Sequence, residues 1–339
     1  MKIKLFIILL STLILSCNSW AMEEDNEASN KTRRMLIAYK GCNNQKIKYV
    51  STHDGDSWTS EEEIPNVGLS HSLSLCEISY PAGSQLFCAY QGRHHDPKLR
   101  YTTNYVNTDL LQKGWEAEEA VPNVGLSHSP SLAVFSNILY CAYQGSRFDH
   151  RLRYVTRDLR NSTIDLNSNG WSEELVVPGV RIFYSPSLAA FNNALYCAYH
   201  GSDEDKHVRY VSTIDGINWC EELVGPGVGL SLSPSLAVFN NTLYCAYQGK
   251  NCDQKLRYIS THDGINWSEE SVVPGARIYS SPSLAVFNNA LYCAYQGSTH
   301  DHKLAYVSTY DGINWSGEAV VPGVGFSDSP CLLTFNSSF

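Results

Sequence analysis

The chain is short of charge, of methionine and of basic excess. Only 17% of its 339 residues are charged and only 3 are Met, a poor supply for solvent-facing helices. Lys and Arg number 25 against 34 Asp and Glu, giving a formal charge of −9. A nucleic-acid binder needs the opposite sign to meet phosphate, so that class is excluded. Long apolar segments are also scarce: Leu5 to Leu15 is the single run, and no second one exists to pack against it. What is plentiful is aromatic: 12% of residues, with 21 Tyr, inside a 43% hydrophobic total. That mixture suits strands, supplies a core and excludes global disorder.

Lys2 and Lys4 precede the apolar run, which at eleven residues is short for a membrane span and right for a signal-peptide core. Two processing readings are open. Ser19-Trp20-Ala21 offers a small-x-small cleavage site, giving a mature chain from Met22 without a transmembrane helix; Ile14-Leu15-Ser16-Cys17 resembles a bacterial lipobox and would place lipid on Cys17. The expected organisation is export signal 1–21, polar linker 22–34 and one domain over 35–339. Export makes the product secreted or periplasmic, or lipid-anchored through Cys17.

The rest of the chain is a repeat. Trp stands at 58, 115, 171, 219, 267 and 315; the Tyr of Ala-Tyr-x-Gly at 39, 90, 143, 199, 247 and 295; and a Ser-Pro-Ser-Leu-like segment starts at Ser72, Ser129, Ser185, Ser233, Ser281 and Ser329. Each Trp precedes that Ser by 14 residues in all six cases, which chance does not produce. A unit holds four strand-like runs. In the one starting at Ser233 these are 235–239, 243–247, 256–260 and a fourth from near Trp267 to before Pro274-Gly275. Asn240-Asn241 and Asp263-Gly264 supply the turn chemistry between them. Four antiparallel strands in about 48 residues is the size of a propeller blade. The first unit lacks strand one, and Ser329–Phe335 is a strand one with no blade after it. The spacing therefore predicts an all-β, six-bladed β-propeller of four antiparallel strands per blade, closed by pairing of the N- and C-terminal strands. Length changes fall in the hairpins on one face, so the uniform loops of the other face are the favoured place for repeated sites.

Cys88, Cys141, Cys197, Cys245 and Cys293 share one strand-two position that Ile37 fills in the first unit, which marks a buried hydrophobe. Cys42, Cys76, Cys220, Cys252 and Cys331 are irregular; Cys42 and Cys331 fall in the shared blade, where an export context permits a bridge. His94-His95-Asp96 and His300-Asp301-His302 are not repeated and lack a defined third or fourth ligand, so they read as loop histidines rather than a metal site. No cofactor is implied.

The repeated polar residues are the candidate ligand groups. Gln91, Gln144, Gln248 and Gln296 follow strand two, with His200 in the fourth unit; Asp96, Asp149, Asp205, Asp253 and Asp301 come five residues later; Arg100, Arg153, Arg209 and Arg257 lie on strand three. Amides, carboxylates and guanidinium groups hydrogen-bond sugar hydroxyls, and the repeated Trp58, Trp115, Trp171, Trp219, Trp267 and Trp315 offer aromatic faces for C–H surfaces. The alternative is that Gln and Asp cap loops while Arg pairs with Asp on the surface.

Residues 281–297 and 304–316 resemble a bacterial and fungal repeat of the pattern Pro-x-Leu-Ala-x-Phe-Asn-Gly-x-Leu-Tyr-x-Ala-Trp-x-Gly, with Tyr in place of its Trp, as at Tyr143. Ser-Thr-x-Asp-Gly-x-x-Trp at 51–58, 212–219, 260–267 and 308–315 is similar to the structural Asp-box of sialidases, with Asp and Gly adjacent here. The resemblance covers 35–339. It implies a propeller like those of fucose-binding lectins and of the non-catalytic sialidase frame. Three functions follow as expectations: a multivalent glycan-binding lectin, a sialidase-like glycosidase, and a protein-binding scaffold. The polar residues repeat rather than specialise, the family's arginine-isoleucine-proline motif is absent, and Arg181 and Arg277 have no convergent partner in the sequence. The first reading is therefore preferred, with glycans or glycoconjugates as partners and no catalytic residue assigned.

Overall fold

The computed structural model describes residues 31–338, leaving out 43, 81–82, 95, 107–113, 148, 161–169, 202–205, 228 and 298–301. Asp205 and Asp301 among the expected site residues, with His95, His300 and Cys17, thus lie outside the described residues. The described chain is β throughout, apart from one short 3-10 turn at Lys250–Cys252.

The strands form four-membered antiparallel groups, each with a meander order. In the fifth unit the members are Ser235–Phe239, Thr242–Gln248, Lys255–Thr261 and Ser271–Arg277. The third and fourth units repeat this order. The remaining ten strands form one sheet, because two strands each belong to two groups. Glu62–Tyr80 pairs with Lys46–Thr52 at its start and with Gly83–Gly92 from Leu69 onward. Ala319–Ser338 leaves Lys303–Thr309 and then pairs with Lys31–Gly41, with Met35 opposite Thr334 and Ala38 opposite Cys331. The first strand therefore begins at Lys31, inside the stretch expected as linker, because Phe335–Ser338 supplies backbone partners that far.

Strand four also differs from its expected bounds. It starts after the Trp and runs through Pro-Gly, as in Ser271–Arg277. The register shifts between Arg257 and Lys255, so the Pro-Gly dipeptide sits in an irregularity on the edge strand. Pro is tolerated there because an edge position has no ladder bond to lose.

Six hydrophobic clusters hold the groups together, and each draws on two neighbouring units. One of them joins Phe287, Tyr292 and Tyr306 of the sixth unit to Met35, Ile37 and Tyr39 of the first. The repeated cysteines Cys88, Cys141, Cys197, Cys245 and Cys293 are fully buried in these clusters as free thiols. Burial pushes the Cys141 and Cys245 thiols well up, so they pack as apolar groups. Cys42 and Cys331 are both free.

The second Ser of each Ser-x-Ser segment explains why that motif repeats. Its hydroxyl accepts the backbone N–H of the Leu in the next unit. Leu132 donates to Ser74 at 3.0 Å, Leu188 to Ser131 at 2.9 Å, Leu236 to Ser187 at 2.9 Å, Leu284 to Ser235 at 3.0 Å and Leu332 to Ser283 at 2.9 Å. Cys331 stands at the sixth such position, and its Sγ takes the Leu75 N–H at 3.3 Å. These inner segments surround a cavity of about 360 Å³.

Candidate functional site

Strand two ends in Ala-Tyr-x-Gly, and the Tyr hydroxyl there fixes the first element of the repeated site. It donates to a glutamate at the start of strand four: Tyr39 to Glu61, Tyr90 to Glu118, Tyr143 to Glu174, Tyr199 to Glu222, Tyr247 to Glu270 and Tyr295 to Glu318, all at 2.7–2.9 Å. The same glutamate meets the strand-three cation. Arg100, Arg153, Arg209 and Arg257 each donate through Nη1 to Glu118, Glu174, Glu222 and Glu270, and Lys48 pairs with Glu61. The other edge of the guanidinium is held by the loop aspartate. Arg100 places Nε and Nη2 on Asp96 Oδ2 at 3.1 and 2.8 Å. Arg153 does so on Asp149 at 2.8 and 2.6 Å, and Arg257 on Asp253 at 3.2 and 2.7 Å.

Arg100, Arg153 and Arg257 are thus each clamped by two carboxylates while remaining partly open. The Arg100 side chain is 26% exposed and its partners Asp96 and Glu118 are 27% and 24% exposed. Hydrogen bonds from Arg151, then from Arg153 against the opposing effect of burial, hold the Asp149 carboxyl well below the usual range. The pairing of Arg with Asp was one of two readings of the sequence, and the structure shows the pairing. Beside Arg100 lies a cavity of about 340 Å³ walled by Asn66, Gly68, Arg93, His94 and the Asp96–Arg100–Glu118 group.

The Gly of Ala-Tyr-x-Gly is required by close approach. A Cβ on Gly249 would come within 2.4 Å of Arg257 Nε and 2.5 Å of Asp253 Oδ1. Gly92, Gly145 and Gly201 face their arginines in the same way. In the sixth unit Ala305 replaces the Arg, and among the described residues a Cβ on Gly297 would meet only the Lys303 carbonyl at 3.9 Å.

The other expected site residues are not brought to this group. The tryptophans stand at the opposite end of strand three, beside the Asp-Gly turn. Each packs on a strand-three Tyr of the preceding unit, with ring centroids 5.4–6.4 Å apart: Trp58 on Tyr306, Trp115 on Tyr49, Trp171 on Tyr101, Trp219 on Tyr154, Trp267 on Tyr210 and Trp315 on Tyr258. Their indole Nε1 atoms are buried. Gln91, Gln144, Gln248 and Gln296 are buried beneath the loops. Gln248 donates to the Ile278 carbonyl at 2.8 Å, and Gln144 and Gln296 meet His150 and His302 at 2.9 Å. The glutamates Glu61, Glu118, Glu174, Glu222, Glu270 and Glu318 join this group although they are not among the expected site residues. Trp-x-x-Glu recurs in all six units and was the available signal.

Among the described residues no group of three or more His, Cys, Asp or Glu is placed to hold a metal ion. Among them no helix is long and apolar enough to cross a membrane.

No protein-family model matches the chain, and no curated protein matches it in sequence. Solved structures match its fold. A lectin of Aleuria aurantia, in complex with Fucα1-6GlcNAc, aligns with a TM-score of 0.58 at 14% identity, covering 86% of this chain and 96% of that one. A lectin from Burkholderia pseudomallei aligns with a TM-score of 0.60 at 10% identity, covering 82% and 78%. The endosialidase of phage phi92 aligns with a TM-score of 0.53 at 11% identity, covering 79% of this chain and 64% of the enzyme. Identities this low speak for architecture, and architecture does not choose between sugar binding and sugar cleavage. The chain has the β-propeller fold of these proteins and resembles the propeller lectins in architecture.

Proposed function

We propose that this chain is an exported, multivalent carbohydrate-binding protein. In this reading residues 1–21 direct export, and six blades close into a ring whose seam is the pairing of Lys31–Gly41 with Ala319–Ser338. The repeated sugar sites lie on the uniform-loop face at Arg100, Arg153, Arg209 and Arg257. The loop aspartates Asp96, Asp149 and Asp253 and the glutamates Glu118, Glu174, Glu222 and Glu270 complete them. The observation that carries the reading is the recurrence of one largely buried, partly open guanidinium between two carboxylates, beside an open polar cavity at Arg100. Such a group offers donors and acceptors at fixed spacing to a vicinal diol, at little ordering cost. The relatives in fold supply the ligand class: the Aleuria lectin was solved with a fucosylated disaccharide. Several equal weak sites raise overall affinity by avidity.

A glycan array on the mature chain, run with a fluorogenic sialoside assay, tests this. The expected result is binding without turnover, and Arg257→Ala lowers array signal only partly because other units keep their sites. Turnover of the sialoside would move the protein to the hydrolases. Silence in both assays would leave the scaffold reading.

A further inference from the structure

The residue just before each Ser-x-Ser segment is where the units diverge: His71, His128, Tyr184, Leu232, Ser280 and Asp328. The residue before that diverges as well. It is Ser in four units (Ser70, Ser127, Ser231 and Ser327) and an aromatic ring in the other two, Phe183 and Tyr279. The Phe183 ring stacks on His150 at 4.4 Å, filling the space between the third and fourth units. Ser127 is small, and its hydroxyl is folded back onto the Gly145 carbonyl at 2.8 Å. A groove of about 620 Å³ therefore stays open between the second and third units. Its polar wall is His71, Gln91, His128, Gln144, Arg147 and His150.

This wall is built for a ligand in two respects. Gln91 and Gln144 are 5% and 3% exposed, and the Oε1 atom of each, like that of Gln248 in the fifth unit, is buried without a hydrogen-bond partner among the described residues. Buried carbonyl oxygens in that state call for a donor. At the outer end the wall offers donors instead. Gln144 Nε2 donates to His150 Nδ1 at 2.9 Å, which leaves the His150 proton on Nε2 as a free donor. Arg147 is exposed and, among the described residues, makes no ion pair. Burial, with smaller effects from His71 and His150, pushes His128 down to about 4. His128 is thus neutral at pH 7, and Arg147 is a full positive charge on a protein that is acidic overall.

We propose that this groove is a single site for an acidic sugar residue, with Arg147 and His150 receiving the carboxylate and the Gln91 and Gln144 carbonyls receiving hydroxyls. The inference rests on the sugar-binding reading but uses none of the Arg–Asp–Glu groups, so the two fail separately.

Calorimetric titration of the mature chain with methyl β-D-glucuronide, methyl β-D-glucoside and the methyl glycoside of N-acetylneuraminic acid tests it. The glucuronide and glucoside differ only in the carboxylate. One equivalent of an acidic sugar is expected to bind per chain, at least tenfold more tightly than the glucoside. Arg147→Ala, a surface change, is expected to weaken it about tenfold, and Arg257→Ala to leave it unchanged. Failure of both acidic sugars to bind overturns the site. So does equal binding of glucuronide and glucoside, or loss in Arg257→Ala rather than in Arg147→Ala. Neutral glycans binding on the array while both acidic sugars fail would sink this site and leave the proposed function standing.

Discussion

At the scale of single residues the repeated site is a steric arrangement before it is an electrostatic one. The guanidinium of Arg257 lies against the backbone at Gly249, so one added carbon there collides with both partners of the ion pair. Gly249→Ala is expected to lower stability by about 1–3 kcal/mol, the ordinary cost of overpacking, and to displace Arg257. Gly297→Ala, at the equivalent position without an Arg, is expected to be neutral. Urea denaturation of the two variants in parallel checks this; equal midpoints would mean that the close approach is not what the glycine serves. The same residues show what a linear reading lacks. Gln, Asp and Arg are near one another in sequence, yet only Asp and Arg meet. The Gln side chains turn inward, and the Trp rings lie at the far end of strand three. Strand alternation and strand length separate groups that a spacing rule joins.

At the scale of elements the Asp-Gly hairpin is the best-determined piece. Asp263 Oδ1 accepts the Ile265 and Asn266 backbone N–H groups at 2.8 and 2.7 Å, and Asn266 closes the turn onto Oδ2 at 2.7 Å. Gly264, at φ +79°, rests against the Tyr196 hydroxyl of the preceding unit, where a Cβ would come within 1.8 Å. These bonds, first from the Asn266 amide and then from Ile265, hold the Asp263 carboxyl far below its ordinary value. A carboxylate whose folded pKa is depressed adds stability above its unfolded pKa, near 4, and loses that contribution as pH falls through the folded value. Asp263→Ala is therefore expected to melt at a lower temperature than the parent at pH 7, with the gap narrowing steadily below pH 4. Thermal melts across pH 2–7 measure it, and a gap that stays constant would contradict the linkage. This hairpin was fully legible in Ser-Thr-x-Asp-Gly-x-x-Trp. Strand four was less so, because Pro274-Gly275 reads as a stop when it is an edge irregularity. The six site glutamates were hidden because most adjoin another Glu, as at Glu118-Glu119 and Glu221-Glu222. Paired acids read as a solvated edge, and only the Tyr hydroxyl one strand pair away reveals which of the two is used.

At the scale of the whole molecule the repeat is held by links between units. The inner hydroxyl-to-amide bonds run from unit to unit, and the pair Leu75–Cys331 joins the first unit to the second. Removing residues 329–339 takes away the inner neighbour of Met35–Ala38 together with this link. The truncated chain is expected to lose its single cooperative melt and to self-associate through the uncovered strand edge. Size-exclusion chromatography with a melting curve would detect both, and a monomer that melts like the parent would rule out a closed ring. The even spacing of Trp, Tyr and Ser told as much about this level as the coordinates do, since the count of units and the half-units at the two ends follow from it. What the spacing left unreadable was the difference between units, because a groove stays open or is filled according to one side chain, Ser127 or Phe183.

The sulfur at position 331 has a consequence in time. A growing chain makes the first three strands of its shared sheet at the start and their fourth partner at the end, so the edge at Met35–Ala38 waits through the synthesis of every other unit. The inner link between Leu75 and Cys331 is then made by a thiol, a weaker acceptor than the hydroxyls elsewhere.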